Sequence, residues 1–340
     1  MRILEEDQEK INEQYPISKK GITYMKTKTT AKTDSSPVAL TKEEKKLARQ
    51  EAKRLRKKKK KEGRRIKSCD PMNVFMPFIM KKRNDACNMF ADEFDVEAAE
   101  NYIYQKRREG LKGFGMMHLF AAAYVRTVAE CPGVNRFIRG QRIMARNNIE
   151  IMLTIKREMK LDQGETCVKF MPEANYTAEE VFHEMNNVIA DALKDSESDF
   201  DKTAAFFAKT PRFLLRFAVH LLHFADYYGL LPRFLTKVSP FHGSLFITSM
   251  GSLGIPPIYH HIYNFGNVPL FLSFGKVEKR NELQLDGTVK QRRYVPLKVV
   301  CDERICDGHH YATFFKIIRH YFTHPELLDT PPAEVKEDIR

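Results

Sequence analysis

The chain has 340 residues, 43% of them apolar, with 16 glycines and 16 prolines, which leaves room for one large domain or two small ones and excludes a fibrous or wholly disordered polypeptide. Its net charge of +13 is unevenly placed: residues 1–67 hold 22 basic and 10 acidic side chains, whereas the remaining residues hold 35 and 34. A basic N-terminal arm (1–67) is therefore expected on a near-neutral body (68–340), and the high isoelectric point does not make that body a nucleic-acid binder.

In chain order, the first forty residues are polar and rich in Lys and Thr, and no apolar segment follows the N-terminus to act as a secretory signal. Residue 2 is Arg rather than Gly, which excludes myristoylation. Thr41 with Glu44 is a capping-box pattern that predicts a charged helix to about Lys61. Residues 42–67 carry 15 basic and 4 acidic side chains, including the run Lys57 to Lys61. Such a stretch is either a solvated arm or a contact for a polyanion such as nucleic acid or an anionic membrane face. No aromatic residues interleave the lysines, so base-specific recognition is not expected.

The body is expected to begin near Cys69. Helices are predicted over Ile79 to Phe90, Val96 to Arg108, Gly115 to Glu130 (ended by Cys131-Pro132-Gly133) and Thr177 to Lys194. Two strands with a turn at Asn147-Asn148 are predicted in Ile143 to Arg157. A helical pair broken at Gly229 and Pro232 is predicted in Phe206 to Leu235. Its apolar run, Phe213 to Leu231, is interrupted by Arg216, His220, His223 and Asp226 and is too polar to span a membrane. Strands are predicted at Ser244 to Met250, Val268 to Val277 and Tyr294 to Cys301, the last two joined through Asp286-Gly287, a type I′ turn signal. An amphipathic helix closes the series at Gly308 to Phe322. Helices interspersed with strands predict an α/β body with a mixed sheet and flanking helices.

The six cysteines are dispersed without a C-x-x-C, as in a reduced, cytoplasmic protein. The chain has no G-x-x-x-x-G-K-[ST], no G-x-G-x-x-G after a strand and no H-E-x-x-H. His220 and His223 have metal-pair spacing but no third ligand spaced to complete a site, so packing is the expected role and no metal is expected. Chemistry concentrates in Val300 to His310, where a buried strand runs into a charged turn and then a helix.

Asp302-x-Arg304-x-x-Asp307-Gly308 resembles the D-H-R-x-x-D-G signature of dihydrolipoamide acyltransferases, the core subunits of 2-oxo acid dehydrogenase complexes. Cys306-Asp307-Gly308-His309-His310 is similar to the C-D-G-F-H of chloramphenicol acetyltransferase. Gly243 to Gly251, Pro269 to Glu278, Phe120 to Arg139 and Phe322 to Leu328 resemble further family segments in the family's order, so the likeness covers about residues 70 to 330.

The resemblance implies a chloramphenicol acetyltransferase-like fold and a homotrimer whose active site lies between subunits. Coenzyme A and the acyl acceptor enter that site from opposite sides. It implies that Thr248 is the hydroxyl that steadies the tetrahedral oxyanion and that Asp307 is the structural Asp, with Arg83 as its candidate partner. Ser249 and Arg304 are the expected contacts to acyl-CoA. The family's base, however, is a His, and this chain has Glu303 there. A carboxylate is the weaker base by about 2 pKa units, a deficit that an apolar surrounding recovers. Glu303 is therefore the first candidate base, with His309 and His310 as substitutes, and His260-His261 as a channel-lining pair. Three readings stand: acyl transfer from acyl-CoA to an unknown acceptor; a trimeric scaffold that keeps the fold without the chemistry; and an oligomeric anchor whose arm, residues 42–67, binds a polyanion. No lipoyl domain or peripheral-subunit-binding segment precedes the body, so a working dehydrogenase core subunit is not expected.

Overall fold

A computed structural model describes residues 61–156, 165–194 and 210–340. The charged helix expected over 41–61 falls, its last residue apart, outside them.

The body reaches back past the expected boundary at 67. Gly63–Arg65 forms β1, antiparallel to β4 (Arg142–Arg146), which pairs on its other side with β3 (Arg136–Arg139). Glu62 is buried and anchors this small sheet: its carboxylate pairs with Arg139, and Oε1 accepts from Arg146 Nη1 (3.1 Å) and Asn267 Nδ2 (2.5 Å). Burial opposes the charge, but the two guanidiniums outweigh it and hold the carboxyl well below its ordinary range. In the sequence Glu62 follows five lysines and looks like part of the arm; its cations come from 77 and 84 residues away.

The main sheet runs β2 (Cys87–Asp95), β10 (Val289–Asp302), β8 (Leu270–Phe274), β7 (Leu245–Ser249), β5 (Ile151–Lys156) and β6 (Glu165–Phe170), with β9 (Glu278–Leu283) also paired to β10. β7 is parallel to β5 and β8 and the other pairs are antiparallel, so the sheet is mixed, as expected. Alternation along the strands sends Leu245, Ile247, Leu270, Leu272, Val295, Leu297, Val299 and Cys301 to one face. There they meet α2 (Glu97–Arg108), α3 (Met116–Glu130), α4 (Ala178–Lys194) and α7 (Gly308–Thr323) in the main core. The central α3 is buried nearly all round, which explains the apolar run that marks it. The other face carries a smaller cluster, Met152, Phe246, Phe271 and Val300 with Ile262 and Val268, and no helix of that core covers it. All six cysteines are free.

Two expectations need correction. The helix expected over Ile79 to Phe90 is instead the end of α1 (Pro71–Ile79, capped by Asp70), a short 3₁₀ turn and the start of β2. Phe90 and Phe94 are four apart, a spacing shared by helix and strand periods, and pairing with β10 decides for the strand. Asp286-Gly287 joins β9 to β10 rather than β8 to β10, because the chain re-enters the sheet at Glu278. Neither β3 nor β6 was anticipated. The helical pair broken at Gly229 is present among the described residues as α5 (Arg212–Tyr228) and α6 (Arg233–Val238), with Gly229 at φ 70° closing α5.

Candidate active site

Thr248 lies near the C-terminal end of β7 on the face that the helices leave bare. It is 9% exposed, and its Oγ1 is 3.1 Å from His260 Nε2. His260 is fixed by stacking on Phe271, with ring centroids 4.1 Å apart and planes inclined by 13°, and Phe271 stacks in turn on Phe246. The Ile258 amide donates to Ser273 Oγ at 3.3 Å and ties the segment carrying His260 to the sheet. Gly275 admits this close approach, since a Cβ there would lie 2.5 Å from Pro257 Cδ. Burial, and then the neighbouring His261, push the His260 imidazole below its ordinary pKa, which favours the neutral ring. The neighbouring Ser249 caps the following turn: its Oγ accepts from the Ser252 amide and its carbonyl from Ser252 Oγ.

Upstream, Lys169 Nζ on β6 donates to the carbonyls of Thr236 and Ser239 at 2.8 Å and to that of His242 at 2.5 Å. Glu150, also bound by Arg233, lies 3.9 Å from the same ammonium. This buried clamp holds the segment that leads into β7.

The D-x-R-x-x-D-G turn forms a second group. Asp302 is 2% exposed and receives Arg304 Nε at 2.8 Å on Oδ1 and Nη2 at 2.7 Å on Oδ2. Arg304 Nη1 also donates to the carbonyls of Met80 and Lys81 at 3.1 and 3.2 Å. The guanidinium of Arg304 is thus turned inward with four of its five N–H groups engaged, an arrangement that speaks for a structural role rather than the expected contact to acyl-CoA. Arg83, the expected partner of Asp307, lies instead 3.9 Å from Asp302 and donates to the Val268 carbonyl at 3.2 Å. Burial draws Arg83 down to about 10, against the pull of Asp302.

Asp307 is the N-cap of α7: its Oδ1 accepts from the His310 amide at 2.9 Å and lies 2.8 Å from His310 Nδ1. Burial opposes ionisation, but these bonds hold the Asp307 carboxyl below its usual value. His310 is therefore committed to the cap, and its ring lies over Gly133 rather than turning back to Glu303. His309 and Glu303 are exposed, and the Glu303 amide donates to the Ala86 carbonyl at 2.8 Å.

Thr248 and Glu303 do not meet within one chain. Thr248 pairs with Ser273 and Ser273 with Lys298, and Glu303 lies five residues farther along. At about 3.3 Å per residue and about 4.8 Å per strand, their Cα atoms are roughly 19 Å apart. The Thr248–His260 pair was missed as a pair: the sequence placed both residues near a channel, but only the return of the chain over β8 brings them together. His220 and His223 form no site: His220 Nδ1 lies 2.8 Å from the Arg216 carbonyl and the His223 ring packs on Phe265.

Residues 236–329 match the family described as 2-oxoacid dehydrogenases acyltransferase (catalytic domain), a segment that contains both Thr248 and the Asp302 to Gly308 turn. A probable dihydrolipoamide acetyltransferase from Listeria monocytogenes 4b F2365 is similar in structure, with a TM-score of 0.50 and 15% identity over 90% of this chain and 100% of that one. A chloramphenicol acetyltransferase gives a TM-score of 0.51 and 16% identity over 76% of this chain and 99% of that one. No curated protein matches the chain. The body thus has the chloramphenicol acetyltransferase-like α/β fold. Within it residues 236–329 are the part that resembles the acyltransferase catalytic domain in sequence, and Glu303 follows Asp302 in the turn of that segment.

Proposed function

We propose that the protein is a cytoplasmic, CoA-dependent acyltransferase that works as a homotrimer, with Glu303 of one chain facing Thr248 of the next. The observation that supports this most is the separation of roughly 19 Å between the two residues in a single chain, with Thr248 on the sheet face that the helices leave bare. Within the chain the group beside that hydroxyl is the His260 imidazole, which this reading assigns to positioning it, so the base for the acceptor is drawn from a neighbouring chain.

In this reading Glu303 takes the proton of a thiol or hydroxyl acceptor as that atom attacks the acyl carbonyl. The Thr248 hydroxyl donates to the developing oxyanion, and the intermediate collapses with expulsion of the CoA thiolate, which recovers the proton from Glu303. Thr248 has one proton to give. His260 Nε2–H, donating to Thr248 Oγ1, leaves that proton free for the oxyanion, so His260 acts as the positioning residue of the hydroxyl. Ser249 contacts acyl-CoA at the strand end, Asp307 holds the turn through α7, and His309 is the nearest unengaged alternative base.

The test combines solution mass with turnover of acetyl-CoA by the purified chain, measured as free thiol released with simple thiol and amine acceptors. A trimeric mass with turnover that falls in Glu303→Gln and Thr248→Val is the expected result. A monomer at micromolar concentration, or turnover indifferent to both substitutions, overturns the reading. A stable trimer without turnover leaves the scaffold in its place.

A further inference from the structure

The amphipathicity of α5 is turned outward. Phe213, Phe217, Leu221, Phe224 and Tyr228 form one stripe at spacings of three and four, and each is 55–73% exposed. The opposite side holds the helix to the body through polar groups: Asp226 Oδ1 lies 3.0 Å from His242 Nε2, and Oδ2 accepts the Gly266 amide at 3.0 Å. No residue of α5 is buried. In α6 and just before it, Phe234 and Leu230 continue the apolar surface, 66% and 64% exposed.

α1 repeats the pattern, with Met72, Phe75, Phe78 and Ile79 each 50–62% exposed. The two helices are bracketed by the β3–β4 hairpin. Gly140 and Gln141 both have positive φ (54° and 57°), as a tight two-residue turn requires, and Gln141 reaches both ways. It donates to the Pro77 carbonyl at 3.4 Å and accepts from Tyr227 at 2.8 Å. The result is a broad exposed apolar surface of a kind that soluble monomers rarely carry unless it is an interaction site.

Its surroundings are cationic. From 210 to 240 the exposed charges are Arg212, Arg216 and Lys237, since Asp226 and Arg233 are turned inward onto His242 and Glu150; around α1, Lys81 and Lys82 are exposed beside Asp70 and Asp85. In the sequence, residues 1–67 carry an excess of twelve positive charges. Aromatic and aliphatic side chains flanked by Arg and Lys are the composition of an interfacial helix that lies in an anionic lipid surface. No described helix is long and apolar enough to cross a membrane. A second copy meeting the same surface across a two-fold axis would set Arg212 and Arg216 against their own equivalents, which like-charge repulsion opposes; the head-to-tail contacts of a trimer escape that repulsion, and the solution mass of a surface variant tests them.

We propose that the α1–α5–α6 surface docks the protein on an anionic lipid bilayer without spanning it. The experiment is sedimentation of the full chain with vesicles of phosphatidylcholine containing 30% phosphatidylglycerol, compared with phosphatidylcholine alone, at low and high salt. Binding to the anionic vesicles that weakens with salt is expected. The double variant Phe217→Ser/Phe224→Ser should lower the affinity at least tenfold at unchanged thermal midpoint and solution mass. The control Leu285→Ser, at a hairpin tip that is 96% exposed, should leave binding unchanged. The proposal is overturned if the full chain stays in the supernatant, if the double variant binds like the parent so that the arm alone suffices, or if the double variant changes the solution mass, which would make the surface a contact between chains. None of these outcomes depends on turnover of acyl-CoA.

Discussion

Replacing His260 by Phe separates the positioning of Thr248 from its chemistry. The substitution keeps a flat ring to stack on Phe271 and removes only the Nε2 bond to Thr248 Oγ1 at 3.1 Å. What is lost is one hydrogen bond, about 1 kcal/mol, together with the restriction of the hydroxyl to one of three staggered positions. The two effects together predict a fall in kcat of roughly tenfold, with KM for acyl-CoA little changed, because the hydroxyl matters chiefly once the oxyanion forms. Thr248→Val, which removes the donor altogether, should cost about 10²–10³ in kcat. Steady-state kinetics of both variants with acetyl-CoA, beside a near-ultraviolet spectrum to check the Phe246–Phe271 stack, decide the matter. A His260→Phe rate equal to the parent's, with Thr248→Val crippled, refutes the positioning role. A His260→Phe loss as deep as that of Thr248→Val also refutes it, because His260 would then be exchanging protons with the reacting groups.

Glu303→Gln should lower the acyl-transfer rate by about 10² or more, while Glu303→His should preserve or raise it; initial rates with acetyl-CoA check both, and a Glu303→Gln variant as fast as the parent moves the base to His309. His118 is held down to about 4 mainly by burial, aided by Arg107 and opposed by Asn186. The unfolded chain therefore binds the extra proton between about 6.5 and about 4. Stability should fall on acidification through that window by about 3 kcal/mol from this group, and urea titrations at pH 7 and 4 should show that part of the slope missing in His118→Gln. Lys169→Met leaves three carbonyls without their donor and Glu150 with Arg233 alone, and should destabilise the fold by about 3 kcal/mol; a change in urea midpoint equivalent to under half a kilocalorie, roughly the scatter of surface substitutions, would show that the clamp is dispensable. Removing residues 1–60 should abolish salt-sensitive retention on heparin and leave the thermal midpoint of the body nearly unchanged; retention that survives the deletion assigns the binding to the body. The cut belongs at 60 rather than 67 because Glu62 and β1 are part of the fold.

Elements whose pattern is local were readable in the sequence. α3 and α7 announce themselves by long apolar periodicity and by Gly115 and Asp307 at their starts, and β7 and β8 by continuous apolar runs suited to central strands. What failed depends on partners distant in the chain. β2 looks helical until β10 is laid beside it, and Glu62 looks like part of a solvated arm until Arg139 and Arg146 close over it. Likewise Arg304 in a motif-like turn reads as a ligand contact, but four of its five donors go to Asp302 and to the carbonyls of Met80 and Lys81 just after α1. The spacing of the motif identifies the turn and cannot say which of its charges face inward.

That division of charges bears on the glutamate at the histidine position. Asp302 of the turn is paired in the interior with Arg304 and lies 3.9 Å from Arg83, and Asp307 is occupied by the helix it caps and by His310. Glu303 alone among the turn's acids is left with an exposed side chain and no structural duty beyond its backbone amide. A group with no duty in the fold is free to vary, which fits lost chemistry, and equally free to act, which fits retained chemistry. The other half of the site breaks the symmetry between these readings. Thr248 is buried, held by His260, and supported by a stack of Phe246, Phe271 and the His260 ring, which fixes the direction of its hydroxyl. A scaffold would hold the same bond merely to satisfy a buried hydroxyl, whereas an acyltransferase with a carboxylate base needs its oxyanion donor firmly placed; turnover of acetyl-CoA that collapses in Thr248→Val while the fold persists separates the two.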